Sequence, residues 1–173
     1  MIGVERHVPK LSRAAVAPEA AVGGDLYDTD EHAWIAAQIA ALAEQRFNRL
    51  DRAHLIEYLS DMTVRDRREL QSRLTVLLHH LLKVRFQHTR LTRSWVNTIL
   101  EQQREIGSIV AGIPSLGRQA DAIAATAYPD AVRAASRDTG IPAAEFPATS
   151  PWTVSEALAF DPPEPAARAK RRR

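Results

Sequence analysis

The stretch Arg68–Ile109, RELQSRLTVLLHHLLKVRFQHTRLTRSWVNTILEQQREIGSI, decides the fold. Its first half carries Leu70, Leu74, Leu77, Leu81 and Val84 at alternating spacings of four and three. That period keeps one face of a helix turned toward a partner over several turns. The second half repeats it through Trp95, Ile99, Gln102, Ile106 and Ile109 and on to Ile113, with one polar residue, Gln102, at an apolar position. A turn centred near Leu91 folds the halves into an antiparallel hairpin, in which residues whose numbers add to about 182 share a level. His80 is then level with Gln102, and Arg73 with Ile109.

Upstream of the hairpin, Tyr27–Glu31 supplies capping and acidic first-turn residues for a helix over about 30–46. Trp34, Ile35, Gln38, Ile39 and Leu42 fall near helical spacing in it. Phe47 and Leu50 pin a corner, and Asp51 caps a helix carrying Leu55, Ile56, Leu59 and Met62 on one side. Thr63–Asp66 resembles a capping box, yet no Gly or Pro stops the preceding helix, so one bent, continuous helix is expected to run to Phe86 and end near Thr89.

Thr92 or Arg93 starts the next helix, which reaches about Gly112. Pro114 opens another, with Leu116, Ile123, Ala127, Ala131 and Ala134 inward and Pro129 in its course. Gly140 stops it. A last short helix spans about Thr153–Phe160 and ends against Asp161-Pro162-Pro163. No β-type alternation competes. The expected fold class is all-α: an up-and-down bundle of four to five main helices over 25–160, centred on the antiparallel hairpin. Residues 1–24 read as a flexible N-terminal arm and 161–173 as a disordered basic tail.

The 173 residues, 45% hydrophobic and 25% charged, suit one soluble domain with tails. With no cysteine, disulfides, thiolate metal sites and cysteine nucleophiles are excluded. No signal peptide or membrane-spanning run is evident, and a cytoplasmic location without membrane attachment is expected. The net charge is +2, but Arg168, Lys170, Arg171, Arg172 and Arg173 supply five positives, and without them it falls to −3. The high pI belongs to the tail, so the folded body gives no global argument for nucleic acid.

The candidate site is a polar seam of Arg73, His80, Lys83, Gln87 and Gln102. A histidine beside Glu101 or Glu105 could serve acid–base chemistry, which makes His80 the candidate catalytic residue. The plainer reading is a buried His–Gln pair that fixes helix register. His54 and Glu57 share a helical face, but the di-iron bundle pattern is Glu-x-x-His, in two copies with two further glutamates, so no metal is expected. His79 and His80 point about 100° apart and cannot chelate one ion without distortion. Arg65, Arg67, Arg68, Arg73, Lys83, Arg85, Arg90 and Arg93 form a basic surface interspersed with Asp66 and Glu69. Arg90, Arg93, Lys170, Arg171, Arg172 and Arg173 are the candidate anion contacts, and binding through them would be salt-sensitive. Trp34, Trp95 and Trp152 read as core or corner residues. Phosphate-loop, nucleophile-elbow and zinc-protease motifs do not occur, and no cofactor is expected.

Several short runs together resemble a known family: Leu26-Tyr27 and Asp30 before Ala33-Trp34, Leu50-Asp51, Arg68-Glu69-Leu70, Leu77-Leu78-His79-His80-Leu81-Leu82-Lys83 and Arg93-Ser94-Trp95. Ala127-Tyr128-Pro129-Asp130-Ala131, Thr139-Gly140-Ile141-Pro142, Phe146-Pro147 and Pro151-Trp152-Thr153 extend the likeness over about 26–160. The chain resembles the bacterial family catalogued as domain of unknown function twenty-nine, helical-bundle proteins with no assigned activity. Val84-Arg85-Phe86 departs from it where members often place Trp, a polar residue and Tyr, and the basic tail is peculiar to this chain. The resemblance implies an all-helical fold and transfers no catalytic residue. The expected function is a non-enzymatic protein-interaction module, self-associating or with another protein. The alternatives are a nucleic-acid-associated protein using the arginine-rich face and tail, and an enzyme or metal site at His80.

Overall fold

The computed structural model describes residues 24–165, and every regular element among them is helical. They are α1 (Gly24–Thr29), α2 (Glu31–Ala43), α3 (Arg52–Phe86), α4 (Arg93–Gly112), α5 (Pro114–Gly117), α6 (Ala120–Thr139) and α7 (Val154–Ala159), with short 3-10 turns at Phe47–Arg49, His88–Arg90 and Ala143–Glu145. The arm over 1–23 and the tail from 166 lie outside the described residues. Two compact units divide between Asp61 and Met62, inside the 35-residue α3.

The first unit holds α1, α2 and the start of α3. The capping run before α2 is itself helical as α1, which the sequence reading did not anticipate. Asp30 caps α2 by accepting from the Ala33 amide at 3.0 Å. The helix stops at Ala43 rather than near 46 because Gln45 turns left-handed at φ 56° and the Arg46 amide closes back on the Ala41 carbonyl at 2.8 Å. Trp34, Gln38 and Ala41 form its buried face. Helix α3 then runs unbroken through the Thr63–Asp66 segment, as the missing Gly or Pro stop implied.

In the second unit the leucine ridge is buried as expected: Leu70, Leu74, Leu77 and Leu81 are 0% exposed. Leu78 and Leu82 are sealed as well, so α3 is buried on two sides. Ile99 and Ile106 of α4 and Ile123, Ala127 and Ala131 of α6 lie in the same core as these leucines. The alanine row of α6 continues through Ala135, not Ala134, because its steps stay at four. Thr92 caps α4 at 3.3 Å to the Trp95 amide, and Gly140 ends α6 at φ 75°. Pro129 lies within the uninterrupted α6.

The hairpin register differs from the expected one. Arg73 Nη2 lies 3.6 Å from Glu105, and Lys83 Nζ lies 4.3 Å from the Trp95 ring centre. Both pairs of numbers add to 178, not 182. The reason is the link: α3 stops at Phe86 and α4 starts at Arg93, so the turn is centred before Arg90 rather than at Leu91. The slip is about one helical turn. Thr98, not Gln102, is therefore level with His80.

Beyond α6 the chain is tied back by named bonds. Phe86 and Phe146 meet at 4.9 Å between ring centres, and the Tyr128 hydroxyl donates to the Pro147 carbonyl at 2.9 Å. Asp121 accepts from the Val154 amide at 2.7 Å, and the Gln103 amide donates to the carbonyls of Ala157 and Phe160. A Thr153–Glu156 capping box starts α7.

Candidate functional site

The expected seam divides in two. Arg73 pairs with Glu69 at 2.9 Å on its own helix and reaches Glu105 across to α4. Lys83 is 6% exposed, and its ammonium donates to Asp138 Oδ2 at 2.7 Å while resting on Trp95. Gln87 donates to the Thr139 carbonyl at 2.9 Å. Lys83 and Gln87 therefore turn toward the C-terminal end of α6. Gln102 sits half-buried on α4, apart from them.

His80 has no glutamate partner from α4. Its Nδ1 lies 2.9 Å from the Val76 carbonyl one turn back, so Nδ1–H is the donor. The carboxylate contact belongs to His79, whose Nε2 lies 3.1 Å from Asp138. Burial pushes the His79 pKa down to about 4, aided by His80 and Lys83 and only partly countered by Asp138. A neutral imidazole therefore donates Nε2–H to a carboxylate that the Lys83 ammonium, its nearest partner, holds below its ordinary pKa. His80 is also lowered, first by burial. Imidazoles this reluctant to take a proton are poor bases near neutrality. The row that meets the end of α6 is His79, Lys83 and Gln87, spaced by four on α3, which the sevenfold spacing of Arg73, His80 and Gln87 had obscured.

Several open surface hollows lie elsewhere. One of about 500 Å³ is bordered by Thr75, Asp130, Arg133 and Ser136, and one of about 330 Å³ by Asp121, Tyr128, Ser150 and Trp152. Neither is lined by His79 or His80. Among the described residues no group of three His, Asp or Glu side chains could hold a metal ion, and no helix is long and apolar enough to cross a membrane. Arg90 and Arg93 are exposed, while Lys170, Arg171, Arg172 and Arg173 lie outside the described residues.

The first unit contains a cluster of which the sequence showed only the Asp51 cap and the His54–Glu57 face. Asp51 is 7% exposed. Its Oδ2 accepts from Trp34 Nε1 at 3.3 Å and lies 2.6 Å from His54 Nδ1, its Oδ1 caps the His54 amide at 3.4 Å, and its own amide donates to Gln38 at 2.9 Å. Tyr27 stacks on His54 at 4.3 Å and meets Trp34 edge-on at 4.9 Å. Burial works to raise the Asp51 pKa, but the bonds from His54 and Trp34 outweigh it and hold it low. The bond to Asp51 raises His54 above its ordinary value, against desolvation. This is the joint that fastens α1 and α2 to the start of α3. Asp51→Asn removes the charge, so the His54 pKa should fall toward 6.5 in an imidazole NMR titration. An unchanged His54 titration would show that the pair is not coupled.

Behind that joint the unit presents an apolar face. From Ala33 to Ala43 the sequence is AWIAAQIAALA, without a charge. Only Trp34, Gln38 and Ala41 of it are buried, while Ile39 is 60% and Leu42 48% exposed. Phe47, Ile56 and Leu59 are more than half exposed in the same unit. The charge gap in α2 was the available signal. A helix uncharged all round is expected to be covered all round.

Among curated proteins and solved structures nothing matches the chain. The family model described as Domain of unknown function DUF29 matches residues 26–161, and the chain belongs to that family.

Proposed function

We propose that the chain is a non-enzymatic protein-interaction module and that its working surface is the apolar face of α2 and the start of α3. The observation that carries this reading is the uncharged α2 segment with Ile39 60% exposed. Apolar surface of this extent marks interaction sites on folded proteins. The basic face offers less support for nucleic-acid binding, since Lys83 and Arg73 already hold Asp138, Glu69 and Glu105. The depressed pKa values of His79 and His80 weigh against acid–base catalysis at the seam.

A photo-crosslinking residue at position 39, expressed in cells, tests it. A discrete protein adduct is expected there, and none from the same probe at exposed position 155 on α7. No adduct at position 39, or equal capture at both positions, contradicts the reading.

A further inference from the structure

We infer that α3 carries a hinge: it opens at Met62 and Thr63 into a second state, in which Thr63 caps the helix that continues into the second unit. The inference stands apart from the interaction reading and does not depend on it. Every residue from Leu59 to Glu69 is exposed, a stretch of about three helical turns. The first unit holds the helix before it through Tyr58, which packs on Trp34, and the leucine core takes hold at the fully buried Leu70. Arg67 adds one bond near the far end, donating to Gln119 at 2.9 Å. A stretch exposed all round gains nothing from burial and rests on its backbone bonds, and isolated helices shorter than about 12–15 residues are marginal on that footing. Continuing helix on both sides spares this one the cost of nucleation, which keeps α3 whole. The two compact units divide at the same place, between Asp61 and Met62.

The sequence places the opening within that stretch. Thr63 and Val64 are adjacent β-branched residues, weaker helix formers than Ala or Leu. The order Thr63-Val64-Arg65-Asp66 matches a capping residue followed three positions later by a carboxylate. In an unbroken helix no amide needs that cap. When Met62 and Thr63 leave the helix, the amides of Arg65 and Asp66 lose their acceptors one turn back, and the Thr63 hydroxyl oxygen takes one of them. Asp66 then stands in the first turn of the new helix, where a negative charge is favourable. The break falls about two turns before Leu70, so the buried leucines keep their packing. The first unit, with the exposed apolar residues of α2, moves about the hinge without disturbing that core.

Amide hydrogen exchange on the full-length chain is the test, with the wild type and two variants compared. In the wild type the amides of residues 62–66 should form a local minimum of protection within α3. They should exchange about a hundredfold faster than those of residues 74–84, and faster than those of residues 55–58. Thr63→Ala removes the cap and raises helix propensity at a residue that leaves the helix, so it should slow exchange at 62–66 about tenfold. Val64→Ala alters a residue that is helical in both states and should slow it less than about threefold. Both positions are exposed, so neither variant threatens the fold. Protection that falls steadily toward the start of α3, with no minimum at 62–66, overturns the inference, because the first unit then opens as a whole. Equal slowing by the two substitutions overturns it as well, since fraying without a capped state treats the neighbours alike.

Discussion

Replacing Trp34 with alanine should lower the stability of the first unit by about 3–5 kcal/mol, the range for deleting a fully buried aromatic. Trp34 is 0% exposed and is the largest buried side chain of a unit whose other buried residues are Gln38, Ala41 and Asp51. It touches Tyr27 and Tyr58 edge-on and donates to Asp51. Removing it opens a cavity and takes one donor from a buried carboxylate, so the losses come from packing and hydrogen bonding together. Amide hydrogen exchange reads the outcome by region. Protection should drop most over 24–61, while the leucine core around Leu74, Leu77 and Leu81 holds. Equal loss throughout would mean that Trp34 stabilises more than its own unit.

The second large effect is the response to acid. The His79 pKa is near 4 in the folded chain and about 6.5 when unfolded. As pH falls below about 6.5, the unfolded state takes the proton first and gains on the folded one. Stability is thus full above that pH and is lost down to about 4, by roughly 3 kcal/mol at most for a shift of this size. The depressed pKa of His80 acts in the same direction, and that of Asp138 extends the loss at lower pH. His79→Gln keeps a donor for Asp138 but cannot titrate. Denaturation between pH 7 and pH 4 should show a clearly smaller loss in the variant, with His80 accounting for a remainder. Matching slopes would place the acid sensitivity elsewhere.

The helices were legible wherever the sequence repeats a period or marks an end. Leu70 to Leu81 announced a buried ridge, Thr92 and Gly140 announced caps, and the absence of Gly or Pro near Thr63 kept α3 whole. The adjacent pairs Leu77-Leu78 and Leu81-Leu82 also said that α3 is buried on two sides, a sign passed over by following one stripe. Register was harder to read. It depends on where the link is centred, and the 3-10 turn at His88–Arg90 moves that centre by enough to replace Gln102 with Thr98 opposite His80. Long-range partners were hidden for a related reason. Asp138 lies 55 residues from Lys83, and no periodicity connects them. The Asp51 joint was visible only as an N-cap, because its other partners, Trp34 and Gln38, come from the preceding helix. The apolar residues were present in the sequence as a charge gap, but Ile39, Leu42, Ile56 and Leu59 read there only as members of helical stripes, and the fold leaves them exposed.

The claim that this face is the working surface for a protein partner is tested most directly by the reactivity of one cysteine. The chain has none, so Ile39→Cys creates a single thiol at a position that the fold alone leaves 60% exposed. Its alkylation in cells should be slow, while a cysteine at exposed position 155 reacts quickly. An Ile39→Cys thiol that reacts in cells as fast as the one at position 155 would contradict the account.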